Sequence, residues 1–234
     1  MADCEYGVVI KRKEMFNTVF EHSNIKPEIL KEDWENQFKI LPWLAYLTAI
    51  PHVVFLVSTI KENGVNNAAL HGWASFTGEG DNYYVIMPIM KNAHTYSNIK
   101  REKEFCINFL SAHYIDECKQ TIANNNLETD EIVSAGLTVE DSTTIKVPRI
   151  KESFLKLECK FEWEKELYSN SYNITVCGKV QHISVSKSFA ISNVEERYGN
   201  DSFVIHLMAM KNPYTGERIK GGIGKVELTR IMEL

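Results

Sequence analysis

Hydrophobic and polar positions alternate most clearly from Leu155 to Trp163. Leu155, Leu157, Cys159, Phe161 and Trp163 are separated by Lys156, Glu158, Lys160 and Glu162. A period of two sends successive side chains to opposite faces, so this run predicts a strand with one buried and one wet face. Tyr172 to Val180 repeats the pattern through Ile174, Val176, Gly178 and Val180, then slips by one at Gln181-His182 before Ile183 and Val185. Such a slip predicts a β-bulge, the device by which barrels turn corners. Val53 to Val57 is instead a continuous apolar run leading to a polar tip at Asn63-Gly64, a pair suited to the positive φ of a tight turn. The chain returns through Asn66 and Asn67 toward Trp73-Ala74-Ser75-Phe76, which predicts a β-hairpin at the centre of a sheet. Its return arm is light, with two carboxamides, two alanines and a glycine, and leaves room beside the backbone for a flat ligand.

Shorter runs fill in the rest. Lys26-Pro27 followed by Ile29, Leu30, Trp34, Phe38 and Leu41 has helical spacing, with proline placed for a first turn and Leu41-Pro42-Trp43 as the stop. Gly78 to Asn82 is a turn by composition, and Tyr83 to Met87 the next strand. His94 to Glu104 suits a helix that Thr95 caps through its hydroxyl, with Lys100 and Arg101 near an anion-binding helix start. Phe105 to Leu110 is a strand, His113 to Asn126 helical, and Asp130 to Ala135 a short helix ended by Gly136. Phe203 to Met208 is a strand or buried segment, Asn212 to Gly216 a turn, and Gly221 to Gly224 a flexible stretch with no dinucleotide fingerprint. Strands on either side of short helices, without βαβ alternation, predict an antiparallel barrel with helical additions.

Composition narrows the function classes. The formal net charge of −5 leaves no excess of Lys and Arg to meet nucleic acid or an anionic membrane. Cys4, Cys106, Cys118, Cys159 and Cys177 are scattered, with neither disulfide-framework nor zinc spacing, so no metal is expected and a reduced, cytoplasmic protein is. The first six residues lack a leader pattern, and no apolar run approaches the roughly 20 residues of a membrane span. No Ser/His/Asp, Cys/His or paired-carboxylate signature stands out, so no catalytic side chain is assigned.

Four blocks carry a resemblance. They are the hairpin, with Ser58-Thr59, Gly64, Asn67, Ala68 and Trp73-Ala74-Ser75; His94-Thr95-Tyr96-Ser97-Asn98-Ile99; Glu104-Phe105-Cys106-Ile107-Asn108-Phe109; and Val147-Pro148-Arg149-Ile150 with Leu157-Glu158-Cys159 and Val176-Cys177-Gly178-Lys179-Val180. In order and spacing they resemble the flavin reductase-like family of FMN-binding split barrels, which includes flavoredoxin. The resemblance implies a mainly β fold, a six-stranded antiparallel Greek-key barrel with additional helices over residues 51–234, preceded by an N-terminal extension with a helix over 1–50. It implies a homodimer with FMN at the subunit boundary, and cofactor contact by Ser58, Thr59, Asn66, Asn67, Ala68, Trp73, Ser75, Thr95 and Asn98. Two positions depart from the family pattern: Gly78 to Asn82 stands where many relatives carry Pro-Pro, and Asn173 where many carry His.

Read by their type alone, Asn66 and Asn67 suit a hairpin turn, and Trp73 suits either core or cofactor wall. The resemblance implies an NAD(P)H-dependent flavin reductase that takes hydride from NADH or NADPH and delivers electrons to an acceptor, with a redox protein as one such partner. The alternatives are a flavoredoxin-like electron carrier reduced by a partner protein and a flavin-free dimeric binding module.

Overall fold

A computed structural model describes residues 20–123, 125–198 and 202–226; Cys4, the first six residues read for a leader, and Asn124 of the asparagine run lie outside them. Seven antiparallel strands form the main sheet: β1 (Phe55–Ile60), β2 (Asn66–His71), β3 (Ser75–Glu79), β4 (Asn82–Met90), β5 (Glu104–Phe109), β6 (Leu155–Lys165) and β7 (Asn173–Val185). Their order is β2-β1-β5-β6-β7-β4-β3. The two edge strands are therefore β2 and β3, which only Gly72-Trp73-Ala74 separates in the chain. A flat sheet of seven strands sets its edges roughly 29 Å apart at about 4.8 Å per strand. The link reaches at most about 14 Å when extended. The sheet must curl until its edges meet, and the result is the split barrel that the resemblance implies.

The strand count is seven rather than six because the return arm of the hairpin is broken. Trp73 adopts a left-handed backbone (φ 61°), so pairing with β1 stops at His71 and the chain crosses to the other edge, where Ser75 pairs with Ile86. Ala68 and Ser75, expected along one strand, lie on opposite edges.

Inside the barrel pack Phe55, Val57, Val85, Met87, Phe105 and Ile107, among others. Leu56 points the other way, into a second core with Ala68, Leu110, Cys118, Ile132 and Ile150. Apolar cover on both faces of β1 accounts for its unbroken hydrophobic run.

The alternation of β6 misleads at one point. Lys156 and Glu158, expected to be wet, are buried, because the segment from Glu140 to Arg149 folds over the outer face and pairs with them. The bulge holds: register shifts between Val180 and His182, with a second shift between Cys177 and Gly178.

Among the described residues five α-helices precede β6: α1 (Gln37–Ile40), α2 (Ala45–Thr48), α3 (His94–Glu102), α4 (Ile115–Gln120) and α5 (Glu131–Ser134). The long N-terminal helix expected from Pro27 to Leu41 is reduced to α1. Side chains take the backbone groups a helix would use: the Asp33 N–H donates to Gln37 Oε1 and the Phe38 N–H to Glu32 Oε1, while Asn36 turns left-handed (φ 63°). Gly136 ends α5 in the expected left-handed conformation (φ 82°). The glycine-rich tail is a strand, β9 (Gly222–Lys225), paired with β8 (Val204–Leu207), whose other side pairs with His52–Val53. Among the described residues no helix is long and apolar enough to cross a membrane.

Candidate functional site

A cleft of about 830 Å³ opens along the seam where the sheet edges meet. One wall is β2 with its link, from Asn67 to Trp73, and the facing wall is Pro88–Met90. β3 begins only opposite Ile86, so the last residues of β4, paired with β7 on one side, have no strand on the other and the gap stays open there. The start of α3 and Glu131 close the inner end, a strap from Phe38 to Trp43 crosses one side, and Leu167 and Tyr168 stand at the mouth, largely exposed.

Two of the sequence blocks meet here. Asn67 is opposite Thr59 in register, and its Nδ2 donates to Thr95 Oγ1 at 3.3 Å. Asn98 Nδ2 donates to Thr59 Oγ1 at 2.9 Å. Asn67, Ala68, Trp73 and Thr95 line the cleft, and Thr59 and Asn98 are the buried pair that positions Asn67 and α3.

The other assigned residues do different work. Ser58 faces the second core, donating to the Pro148 carbonyl at 2.6 Å and accepting from Asn108 at 3.0 Å. Asn66 Nδ2 donates to Asp130 Oδ2 at 2.8 Å, and the other oxygen of Asp130 caps α5. Ser75 is exposed on β3.

The start of α3 is uncapped. Ala93 occupies the cap position and no side chain accepts from the first turn; Thr95 lies inside the helix and spends its hydroxyl on Asn67. A helix start leaves backbone N–H groups without intrahelical partners and carries partial positive charge. Beside them, His94 Nδ1 is buried without a hydrogen-bond partner. Ala93, His94 and Thr95 all line the cleft, so unpaired donors and an imidazole nitrogen converge on one end of it. Lys100 and Arg101, expected near this anion site, lie in the last turn, bonded to Glu164 and to Glu102 and Asn98.

A carboxylate shares that end of the cleft with the α3 start. Glu131 at its inner end is buried, with Oε1 3.1 Å from Lys61 Nζ and Oε2 accepting from the Ala68 N–H at 2.9 Å. Burial raises its carboxyl above the usual range against the opposing pull of Lys61 and Ala68. Lys61 is itself fully buried and also donates to the carbonyls of Asn126 and Thr129. Burial drives the His71 imidazole down to about 4, so it is neutral at physiological pH.

Sequence reasoning missed His94, Glu131, His71 and the strap. His94 lay inside a quoted block without a role. The strap depends on Asn173 Nδ2 donating to the Ile40 carbonyl at 3.2 Å, a contact across 133 positions that no local pattern announces.

The sequence profile of the flavin reductase like domain matches residues 47–199. An uncharacterized protein of Aquifex aeolicus is 31% identical over 139 residues, 56% of this chain and 68% of the relative. Among solved structures, nitrilotriacetate monooxygenase component B from Bacillus cereus superposes with a TM-score of 0.69 at 20% identity, over 93% of this chain and 100% of that one. Flavoredoxin from Methanosarcina acetivorans does so with a TM-score of 0.62 at 18% identity, over 79% and 89%.

Proposed function

Since this chain belongs to the flavin reductase like domain family, we propose that it is an FMN-binding oxidoreductase that takes hydride from NADH or NADPH and passes electrons to an acceptor. The observation that carries the reading is the convergence of the uncapped α3 start and the unpartnered His94 Nδ1 on one end of a cleft whose walls are largely apolar. An elongated ligand with a flat ring and an anionic end matches both properties, and the volume lies within the roughly 300–1,000 Å³ of cofactor and small-ligand pockets. Bound FMN supplies the redox chemistry, accepting hydride on its isoalloxazine ring. Asn67, Ala68 and Trp73 would hold the ring region, and His94 and Thr95 the phosphate end. Leu70, Trp73 and Pro88 keep water from the walls, and the neutral His71 adds no charge there.

A homodimer belongs to the same proposal. Leu167 and Tyr168 are 76% and 65% exposed at the mouth of the cleft, and a second copy would cover them there.

The test is an anaerobic visible spectrum of the protein with FMN, before and after NADH or NADPH. Perturbed flavin bands that bleach quickly are the expected result. Bands that bleach with dithionite but persist with both nicotinamides would replace the small-molecule donor by a partner protein, as in a flavoredoxin-like carrier. No perturbation of the flavin bands overturns FMN binding. Asn67→Ala removes a cleft amide and is expected to raise the FMN Kd about tenfold, a loss of about 1.4 kcal/mol. Unchanged affinity in both Asn67→Ala and Thr95→Ala would refute the placement.

A further inference from the structure

A second cavity, of about 460 Å³, lies on the other side of the link that walls the cleft, and shares Leu70 to Trp73 with it. Three imidazoles enter it from different elements: His71 from the end of β2, His52 from the strand before β1, and His206 from β8. His52 and His206 are direct partners in register. His52 also stacks on Trp73, with ring centroids 4.7 Å apart and planes at 29°. That stack helps to hold Trp73 in its left-handed backbone, a conformation bulky residues rarely adopt. Apolar surface from Val54, Leu70, Ile115 and Ile223 makes up the remaining walls, and Lys119 of α4 supplies a cation at the rim.

This combination is selective. Burial keeps all three imidazoles toward the neutral form, and His206 adds to the effect on His52. A neutral imidazole carries one donor and one acceptor nitrogen, and the three partly buried rings can offer both to a ligand in the cavity. His52 stacks on Trp73 and feels the charge of His206 across the cavity. Lys119 reaches Asp116 at 3.1 Å, but both side chains are mostly exposed (55% and 86%), and such pairs hold a side chain weakly. Its ammonium is therefore available to a ligand.

We propose that this cavity binds a small aromatic carboxylate, with its ring among Leu70, Ile115, Ile223 and the imidazoles and its anionic group directed to Lys119. Aromatic rings pack favourably against the ring faces of His and Trp, and a carboxylate draws charge-assisted hydrogen bonds from an ammonium. The volume accommodates one or two fused rings. The site goes beyond the flavin reading, since the cleft and this cavity lie on opposite sides of Trp73.

Isothermal titration with 2-naphthoate tests it, on the FMN-saturated full chain and on the flavin-free chain. The expected result is one saturable site in both forms. Lys119→Gln, a largely exposed substitution, is expected to weaken binding about tenfold. Ile223→Trp fills the cavity from a half-exposed position on β9 and is expected to abolish binding. Both variants should bind FMN like the parent. Absence of saturable binding overturns the proposal, as does binding that both variants retain unchanged. Naphthoate that competes with FMN and ignores Lys119 would place the ligand in the cleft and also overturn it. Because the flavin-free chain is titrated separately, failure of FMN binding does not obscure the outcome.

Discussion

Glu158 is fully buried, yet it is an anion with full satisfaction. Its carboxylate accepts from the Thr143 N–H at 2.8 Å, from the Thr144 N–H at 2.6 Å and hydroxyl at 2.7 Å, and from Arg149 at 3.2 Å. Burial alone raises the carboxyl, but these donors outweigh it, and the group lies below its ordinary value of 4.5. A carboxylate with a depressed folded pKa contributes stability that is present above 4.5 and is lost as pH falls through the folded value. Glu158→Gln is therefore expected to cost about 3 kcal/mol at pH 7, as for breaking a buried pair. The gap between parent and variant, measured by urea unfolding, should narrow below pH 4.5. Glu131 is shifted the other way, so the comparison must be made between parent and variant rather than on the parent alone. At this scale the sequence was informative where chemistry is local. Asn67 and Thr95 stood out by type and meet in the fold, whereas the alternation that marked β6 could not distinguish a charged side chain facing water from one facing Thr143, Thr144 and Arg149. The cysteines show the reverse case. The sequence places Cys106 and Cys177 in strands, and these two with Cys118 and Cys159 are all buried, with burial pushing the Cys118 thiol up to about 12.

Among the elements, the N-terminal strap was the least legible. Its apolar spacing is helical, but Gln37 and Glu32 divert the backbone donors, and two distant contacts hold the segment: Asn173 on Ile40, and Asp33 on the buried Lys211 at 2.7 Å. Asn173 attracted notice only as a departure from a family pattern; its amide anchors one wall of the cleft. Asn173→Ala is expected to speed FMN dissociation about threefold to tenfold while leaving the melting temperature nearly unchanged, consistent with the loss of one hydrogen bond of about 1 kcal/mol. Flavin fluorescence recovery on dilution measures the rate, and an unchanged rate would show that the strap does not gate the cleft. The barrel strands were more legible, and two quoted blocks explain each other. A Cβ at Gly178 would stand 2.3 Å from Cζ of Phe105, so the glycine in β7 is the space that the β5 aromatic ring occupies. Gly178→Ala is expected to cost about 1–3 kcal/mol through overpacking. Pairing it with Phe105→Leu in a thermal-unfolding comparison should return part of that loss; if Phe105→Leu gives no relief, the contact is not the cause.

In the molecule as a whole, fold and site come from one event, the curling of a seven-stranded sheet until its edges lie side by side. The barrel was readable from strands without βαβ spacing, but the place of its opening was not. That depended on Trp73 turning left-handed, which no periodicity signals. Every other pair of neighbouring strands in the sheet is joined by backbone hydrogen bonds, while β2 and β3 are joined by three residues of chain. The cylinder is thus a zipped tube with one seam left unfastened. A ligand lying in that seam, bonded on one side to Asn67 and packed on the other against Pro88 and Ile89, takes the place of the missing rungs. Cofactor occupancy would then be a mechanical property of the tube as well as a chemical one, with the filled barrel closed around its whole circumference and the empty one free to breathe along a single line.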